Sequence, residues 1–289
     1  MLIKLWGGLV LKKFSLLILV TLSFILLAAC GQPPAVSEPT PVTDGETASG
    51  GSGPIKIATD ASYAPMEFMD RDQVTGFDID FLDAVMKEAG INYEVENVGW
   101  DTMLLSVKQG SEYQAGISAI SVTEERKESY DFSLPYYESA NMIVVKEGSD
   151  IQSAADLADK QVAVQAATTA DTIMSELMGA SNPKLKKFDS NTLAFMELDK
   201  GGADAVVADN AIIQEYIKNN PDSKLVGITD SEAFQPEYYA FLMPKGSELK
   251  AKLDPAVKAV IDNGTYEGIY EKWFGKKPDL TSLKAEMAK

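Results

Sequence analysis

The residues best equipped for chemistry sit in two polar loops. The first reads Asp60-Ala61-Ser62-Tyr63-Ala64-Pro65-Met66-Glu67-Phe68. Asp60 puts a carboxylate at the end of a predicted strand, where it suits a turn or cap acceptor as well as it suits a ligand. Tyr63 offers an aromatic face, and Pro65 stiffens the loop. The second loop runs from Gly116 to Lys127. Ser121 and Glu124 have the spacing of a capping box, and Arg126 falls in the first turn of the helix that would follow. A guanidinium presents a planar fork that matches a carboxylate, which an ammonium does not. Glu67 and Asp101 read first as exposed loop carboxylates and second as further acidic contacts. Asp78 and Asp80 read as first-turn helix carboxylates that complement the N-terminal dipole.

The rest of the composition closes several routes. The 289-residue chain has no histidine and one cysteine. A Ser-His-Asp or Cys-His centre cannot be built, zinc loses its usual nitrogen ligand, and disulfides are excluded. Carboxylate, Ser/Lys and Tyr chemistry stay open. The single thiol, Cys30, closes Leu27-Ala28-Ala29-Cys30, a lipobox-like junction after Lys12-Lys13 and an apolar stretch from Phe14 to Leu27. That stretch of about 14 residues is short for a bilayer span of roughly 20 and has the parts of an export signal. The junction resembles those of bacterial lipoproteins, which implies that Met1–Ala29 is removed and Cys30 diacylated, an anchor strong enough to hold the protein on a membrane face. The net charge of −17 becomes −20 once Lys4, Lys12 and Lys13 leave with a segment that carries no acid. Such a surface repels nucleic acid and anionic headgroups.

These side chains need a scaffold to bring them together. Gly31 to Gly53, 23 residues rich in Pro, Thr, Ser and Gly, reads as a flexible tether, and the 236 residues from Pro54 to Lys289 suffice for two lobes. Strands are predicted at Ile55–Thr59, Tyr93–Val98, Gln114–Ile120, Met142–Lys146, Gln161–Gln165, Asp204–Ala208, Lys224–Ile228 and Tyr239–Met243, with helical patterns between them. Phe77, Phe81, Leu82, Val85, Met86 and Ala89 recur at helical spacing and stop at Gly90. The alternation predicts largely parallel α/β sheets, whose ligands sit beyond the carboxyl ends of strands. The loops after Thr59, Ile120, Gln165 and Ala208 are therefore the ones to watch. No repeat of 20–50 residues and no phosphate-binding glycine loop is present.

Taken in order, Thr59-Asp60, Gly76-Phe77-Asp78-Ile79-Asp80, Glu125-Arg126, Asp131-Phe132-Ser133, Pro135-Tyr136-Tyr137, Ala203-Asp204-Ala205-Val206, Pro244-Lys245-Gly246 and Trp273-Phe274 resemble the extracellular amino-acid-binding proteins of ABC importers, solute-binding protein family 3. The resemblance implies a two-lobed α/β fold of the type II periplasmic-binding-protein kind, with two crossing hinge strands near Tyr136–Ala140 and Pro236–Ala240 and a ligand cleft between the lobes. Residues 54–138 plus 241–289 would form a discontinuous lobe 1 and residues 139–240 lobe 2. Carried over position by position, Arg126 would clamp the ligand α-carboxylate with Ser121 and the backbone near Ala119. Gln165, Thr168 and Thr169 would add lobe 2 contacts at a helix start, where N–H groups favour an anion. Asp209 would pair with the α-ammonium, Tyr63 and Trp100 would sandwich the side chain, and Asp60 would meet its polar end. Relatives often carry Gly-Thr-Thr-Gly where this chain has Ala167-Thr168-Thr169-Ala170, and the extra methyls restrict positive φ.

A buried zwitterion needs a cation and an anion on opposite sides, which Arg126 and Asp209 would supply from opposite lobes. Asp60 with two aromatic faces suits arginine or lysine first, with glutamine or another polar amino acid second. The resemblance further implies a non-enzymatic, extracytoplasmic, lipid-anchored monomer. It would bind a small L-amino acid, use no cofactor or metal, and dock on an ABC permease and its ATPase. A cyclohexadienyl-dehydratase-like enzyme and a receptor-docking sensor are alternatives on the same fold.

Overall fold

The computed structural model describes Gly53–Lys289; the export segment, Cys30 and nearly all of the tether lie outside the described residues. The chain opens with β1 (Ile55–Thr59) and a small meander of β2 (Ser62–Tyr63), β3 (Glu67–Asp70) and β4 (Gln73–Thr75). Then come α1 (Phe77–Ala89), β5 (Tyr93–Asn97), α2 (Trp100–Gln109), β6 (Ala115–Gly116), α3 (Glu124–Ser129) and β7 (Tyr130–Phe132). A crossing strand β8 (Tyr137–Ser139) leads to β9 (Asn141–Lys146), β10 (Val162–Gln165), α4 (Thr169–Met178), β11 (Leu185–Phe188), α5 (Asn191–Asp199), β12 (Ala205–Asp209), α6 (Asn210–Asn219) and β13 (Leu225–Ile228). The return crossing β14 (Glu237–Tyr239) precedes β15 (Leu242–Pro244), α7 (Lys250–Asp262), α8 (Thr265–Phe274) and α9 (Thr281–Met287).

Two five-stranded sheets result, β5-β1-β6-β15-β7 and β11-β10-β12-β9-β13, joined by the antiparallel pair β8–β14 in the register Glu237↔Ser139, Tyr238↔Glu138 and Tyr239↔Tyr137. This is the two-lobed α/β architecture with adjacent crossing strands. Each sheet has a parallel centre, β5-β1-β6 or β11-β10-β12, but β15 runs antiparallel to β6 and β7, and β9 antiparallel to β12 and β13. The returning and departing strands complete the two sheets from the opposite direction, so the sheets are mixed rather than wholly parallel.

Helix α1 forms as its apolar spacing predicts: Phe77, Phe81, Leu82, Val85 and Met86 are buried, and Gly90 ends it at φ 65. Its aromatic face packs into a cluster with Tyr136, Tyr137, Tyr266, Tyr270 and Phe274, tying α8 to the start of the crossing strands. Two predicted strands change. Gln114–Ile120 pairs only at Ala115–Gly116, because Ala119 turns to φ 47 and carries the chain off the ladder. Tyr239–Met243 divides between β14 and β15, since the chain leaves the crossing pair to enter the first sheet. Among the described residues no helix is long and apolar enough to cross a membrane.

Candidate functional site

The first lobe offers Asp60 just past β1. Its backbone N–H donates to Ser118 Oγ at 3.1 Å, and its carboxylate accepts from Ser62 Oγ at 2.8 Å. The loop after β6 is pinned from below: Ser118 Oγ donates to Glu67 Oε1 at 2.7 Å and Ala119 N–H donates to Asp78 Oδ2 at 2.8 Å. The cap of α3 is Thr123, which accepts from Arg126 N–H at 3.1 Å. Ser121 does not form the capping box that its spacing with Glu124 predicts. It lies two residues before the cap, and its hydroxyl donates at 2.5 Å to Glu237 on β14. Arg126 lies over the Trp100 ring at 5.2 Å, and its Nη1 and Nη2 donate to the carbonyls of Ser121 (2.9 Å) and Ala167 (3.0 Å).

The second lobe brings the ends of β10 and β12. Gln165 donates to Asp60 Oδ2 across the cleft at 3.2 Å, and Asn191 Nδ2 donates to Gln165 Oε1 at 2.7 Å, which fixes the amide's orientation. Ala167 takes φ 58 in spite of its methyl, so that its carbonyl reaches both Arg126 and, at 3.3 Å, Trp100 Nε1. Thr168 caps α4. Thr169 Oγ1 accepts from Asn141 Nδ2 at 3.2 Å. Asp209, buried at the end of β12, accepts from Tyr63 at 2.7 Å and Tyr239 at 2.6 Å. All ten residues singled out in the sequence, together with Ser118, surround one cavity of about 20 Å³.

Burial dominates the electrostatics. It raises the Asp60 carboxyl, partly offset by Ser62 and Gln165, and it raises Asp209 against the pull of its two tyrosine donors and Arg126. It lowers Arg126, a cost that nearby Glu237 and Asp209 partly offset. Glu237 rises to about 7 through burial and the Asp209 charge. Glu237 has no sequence motif of its own; the only signal was its place in the second crossing segment. Glu67 is fully buried, not the exposed carboxylate expected, because the β3 hairpin folds under the loop that carries Ser118. Asp78 is a first-turn residue whose side chain also reaches Tyr136 and Ala119, whereas Asp80 meets Lys272 and Trp273 at the surface. Among the described residues no cluster of acidic, histidine or cysteine side chains could hold a metal.

Two α/β lobes, two crossing strands and a polar cavity lined from both lobes define a two-lobed solute-binding protein. The model of the bacterial extracellular solute-binding proteins, family 3, matches residues 55–276, and the chain belongs to that family. It is 35% identical over 225 residues to a probable histidine-binding protein of Neisseria gonorrhoeae, covering 77% of this chain and 83% of that one. It is 30% identical to the arginine-binding extracellular protein ArtP of Bacillus subtilis, covering 91% and 98%. The crystal structure of the arginine-, lysine-, histidine-binding protein ArtJ from Geobacillus stearothermophilus is 50% identical and superposes with a TM-score of 0.78 over 80% of this chain and 100% of that one. All three relatives are named for the amino acids they bind.

Proposed function

We propose that this protein is the extracytoplasmic binding component of an ABC importer, that it takes a basic L-amino acid, arginine or lysine, and that it delivers it to a membrane permease driven by an ATPase. In this reading Arg126 and Ser121, with the backbone around Ala119 and the α4 start at Thr168-Thr169, hold the α-carboxylate. Asp209 takes the α-ammonium. Tyr63 and Trp100 flank the side chain, and Asp60 with Gln165 meets its charged end. Residues 54–138 with 241–289 move against 139–240 about β8 and β14, and acylated Cys30 tethers the body through the 31–53 segment.

The observation that carries the ligand class is a charge count. The cavity is lined by two carboxylates, Asp60 and Asp209, and one cation, Arg126. The α-carboxylate and α-ammonium of any amino acid match Arg126 and Asp209. Asp60 is left over, held by neutral donors from Ser62 and Gln165. A buried carboxylate without a cation is costly, and a basic side chain supplies the missing charge. The test is calorimetric titration of the purified protein, freed of carried-over ligand by unfolding and refolding, with arginine, lysine and glutamine. Arginine or lysine should bind at least about tenfold tighter than glutamine, a difference of roughly 1.4 kcal/mol. Glutamine binding tightest would overturn the ligand class, and silence with every amino acid would overturn the function.

A further inference from the structure

Two carboxyl groups lie beneath the site with nothing in the binding reading to occupy them. Glu67 on β3 and Asp78 on α1 are both fully buried. Each uses one oxygen to hold the cradle. Asp78 Oδ2 accepts from Ala119 N–H and from Tyr136 OH, both at 2.8 Å. Glu67 Oε1 accepts from Ser118 Oγ, which in turn accepts from Asp60 N–H. The remaining oxygens, Glu67 Oε2 and Asp78 Oδ1, are buried and meet no donor, and the two carboxyls are gathered under one loop by adjacent residues, Ser118 for Glu67 and Ala119 for Asp78. Gly76 makes this approach geometrically feasible. At φ 143, a Cβ on it would lie 2.0 Å from Met66 O and 2.7 Å from Glu67 Cα, so only glycine lets the β3 hairpin press onto the start of α1. Phe77 and Asp78 N–H groups then donate to Pro65 O at 2.9 Å and Met66 O at 2.8 Å and hold the hairpin there.

We propose that Glu67 and Asp78 share a single proton, and that this pair is the positioning device that keeps Ser118, Ala119 and Asp60 in the geometry the ligand requires. Two ionised carboxylates cannot stand side by side in a dry interior. The titratable groups that face the pair are Asp60, Tyr63, Tyr136, Tyr137 and Tyr266, none of them a cation. One proton satisfies both orphan oxygens at once, as an O–H on one carboxyl donating to the free oxygen of the other. Asp78 already accepts two hydrogen bonds, which favours its ionised form, so the proton resides on Glu67. Burial, followed by the neighbouring Asp78, pushes Glu67 well above the ordinary carboxyl range in agreement. Because the anchored atoms belong to the two loops that line the cavity, losing the proton releases the cradle rather than a remote surface.

This inference rests on the amino-acid-binding reading only for its consequence; the shared proton can be observed without ligand. In the purified full chain labelled with ¹³C at glutamate carboxyls, the Glu67 signal should remain that of a protonated acid far above the ordinary glutamate value, and Glu67→Gln should remove it. A Glu67 signal already ionised at about pH 5 would overturn the proposal. In arginine titrations, affinity should hold through neutral pH and weaken at alkaline pH in the wild type. Glu67→Gln should stay within about threefold of wild type and keep only the alkaline weakening that loss of the ligand's own α-ammonium causes, since its amide donates to Asp78 and its carbonyl accepts from Ser118. Glu67→Leu, which leaves Asp78 without a donor, should bind at least about thirtyfold more weakly, in line with the cost of an orphaned buried charge. Glutamine and leucine variants that lose affinity equally would also overturn it. Should the leucine variant not fold, the carboxyl signal and the glutamine variant's pH profile still decide. Failure of every amino acid to bind would strike the functional reading and leave the proton measurement standing.

Discussion

Arg126 is held by two carbonyls and an indole face, with Glu237 and Asp209 close enough to favour its charge but, among the described residues, no carboxylate bonded to it. That leaves its fork free to exchange carbonyl partners for a ligand carboxylate. Arg126→Lys keeps the charge and loses the fork, so arginine affinity should fall by about 2 kcal/mol, roughly thirtyfold; an unchanged Kd in a titration would count against the clamp. Glu237 carries a pH prediction. Burial and Asp209 raise it to about 7 from its ordinary 4.5, so the folded protein retains a proton there that the unfolded chain releases. Its stabilising contribution is complete below about 4.5 and is lost as pH rises through about 7, a loss of the order of 3 kcal/mol. Melting temperatures from about pH 5 to about pH 8 should fall more steeply for wild type than for Glu237→Gln; parallel curves would refute this. Asp60 and Arg126 stand out in the sequence by local position, a strand end and a helix start, but a ligand role for them and for Asp209 comes only from the resemblance to the family. Glu237 does not stand out, since Ser121 and Asn141 lie 116 and 96 residues away. Glu67 looked exposed because nothing within its own loop buries it; Ser118, 51 residues on, does.

The turn from β10 into α4 shows a chain bending against its own side chain. Ala167 occupies the left-handed region in spite of its methyl, and its amide is anchored by Asp171 Oδ2 at 3.0 Å. A Cβ there costs roughly 1–2 kcal/mol, and glycine's greater freedom in the unfolded chain recovers only part of that. Ala167→Gly should therefore raise stability by up to about 1 kcal/mol, while Ala163→Gly, in the buried interior of β10, should lower it by about as much. Chemical denaturation measures both, and equal losses would refute the strained turn. Such elements divide by how local their cause is. The α1 spacing and its Gly90 stop are written in consecutive residues. The break between β14 and β15 is not, because Tyr239, Ala240, Phe241, Leu242 and Met243 are all fully buried and present one uninterrupted apolar run. The chain divides there because the crossing pair and the first sheet both claim it.

Across the whole molecule the cleft is drawn shut by its own polar groups. Tyr63 reaches Asp209, Gln165 reaches Asp60, and Arg126 and Trp100 reach Ala167, around a cavity that has room for about one water. An amino acid needs more space than that, so these bonds must part before entry, and the opened groups are the ones offered to the ligand. This degree of closure had no sequence signal, because it depends on pairs more than 40 residues apart meeting across two lobes. The recess at the cleft mouth is lined by Glu125, Glu128, Glu176 and Glu237, with Arg126 as its one cation, on a chain of net charge −17. A field of that sign attracts a cationic amino acid and is indifferent to a neutral zwitterion, and salt shortens its reach from about 30 Å at 0.01 M to about 3 Å at 1 M. Stopped-flow association of arginine should thus slow by at least about threefold between roughly 0.02 M and 0.5 M salt, while glutamine, if it binds, should change by less than about twofold. Equal salt dependence for the two would show that the acidic mouth does not steer the ligand, leaving selection for a basic side chain to Asp60 inside the closed cleft.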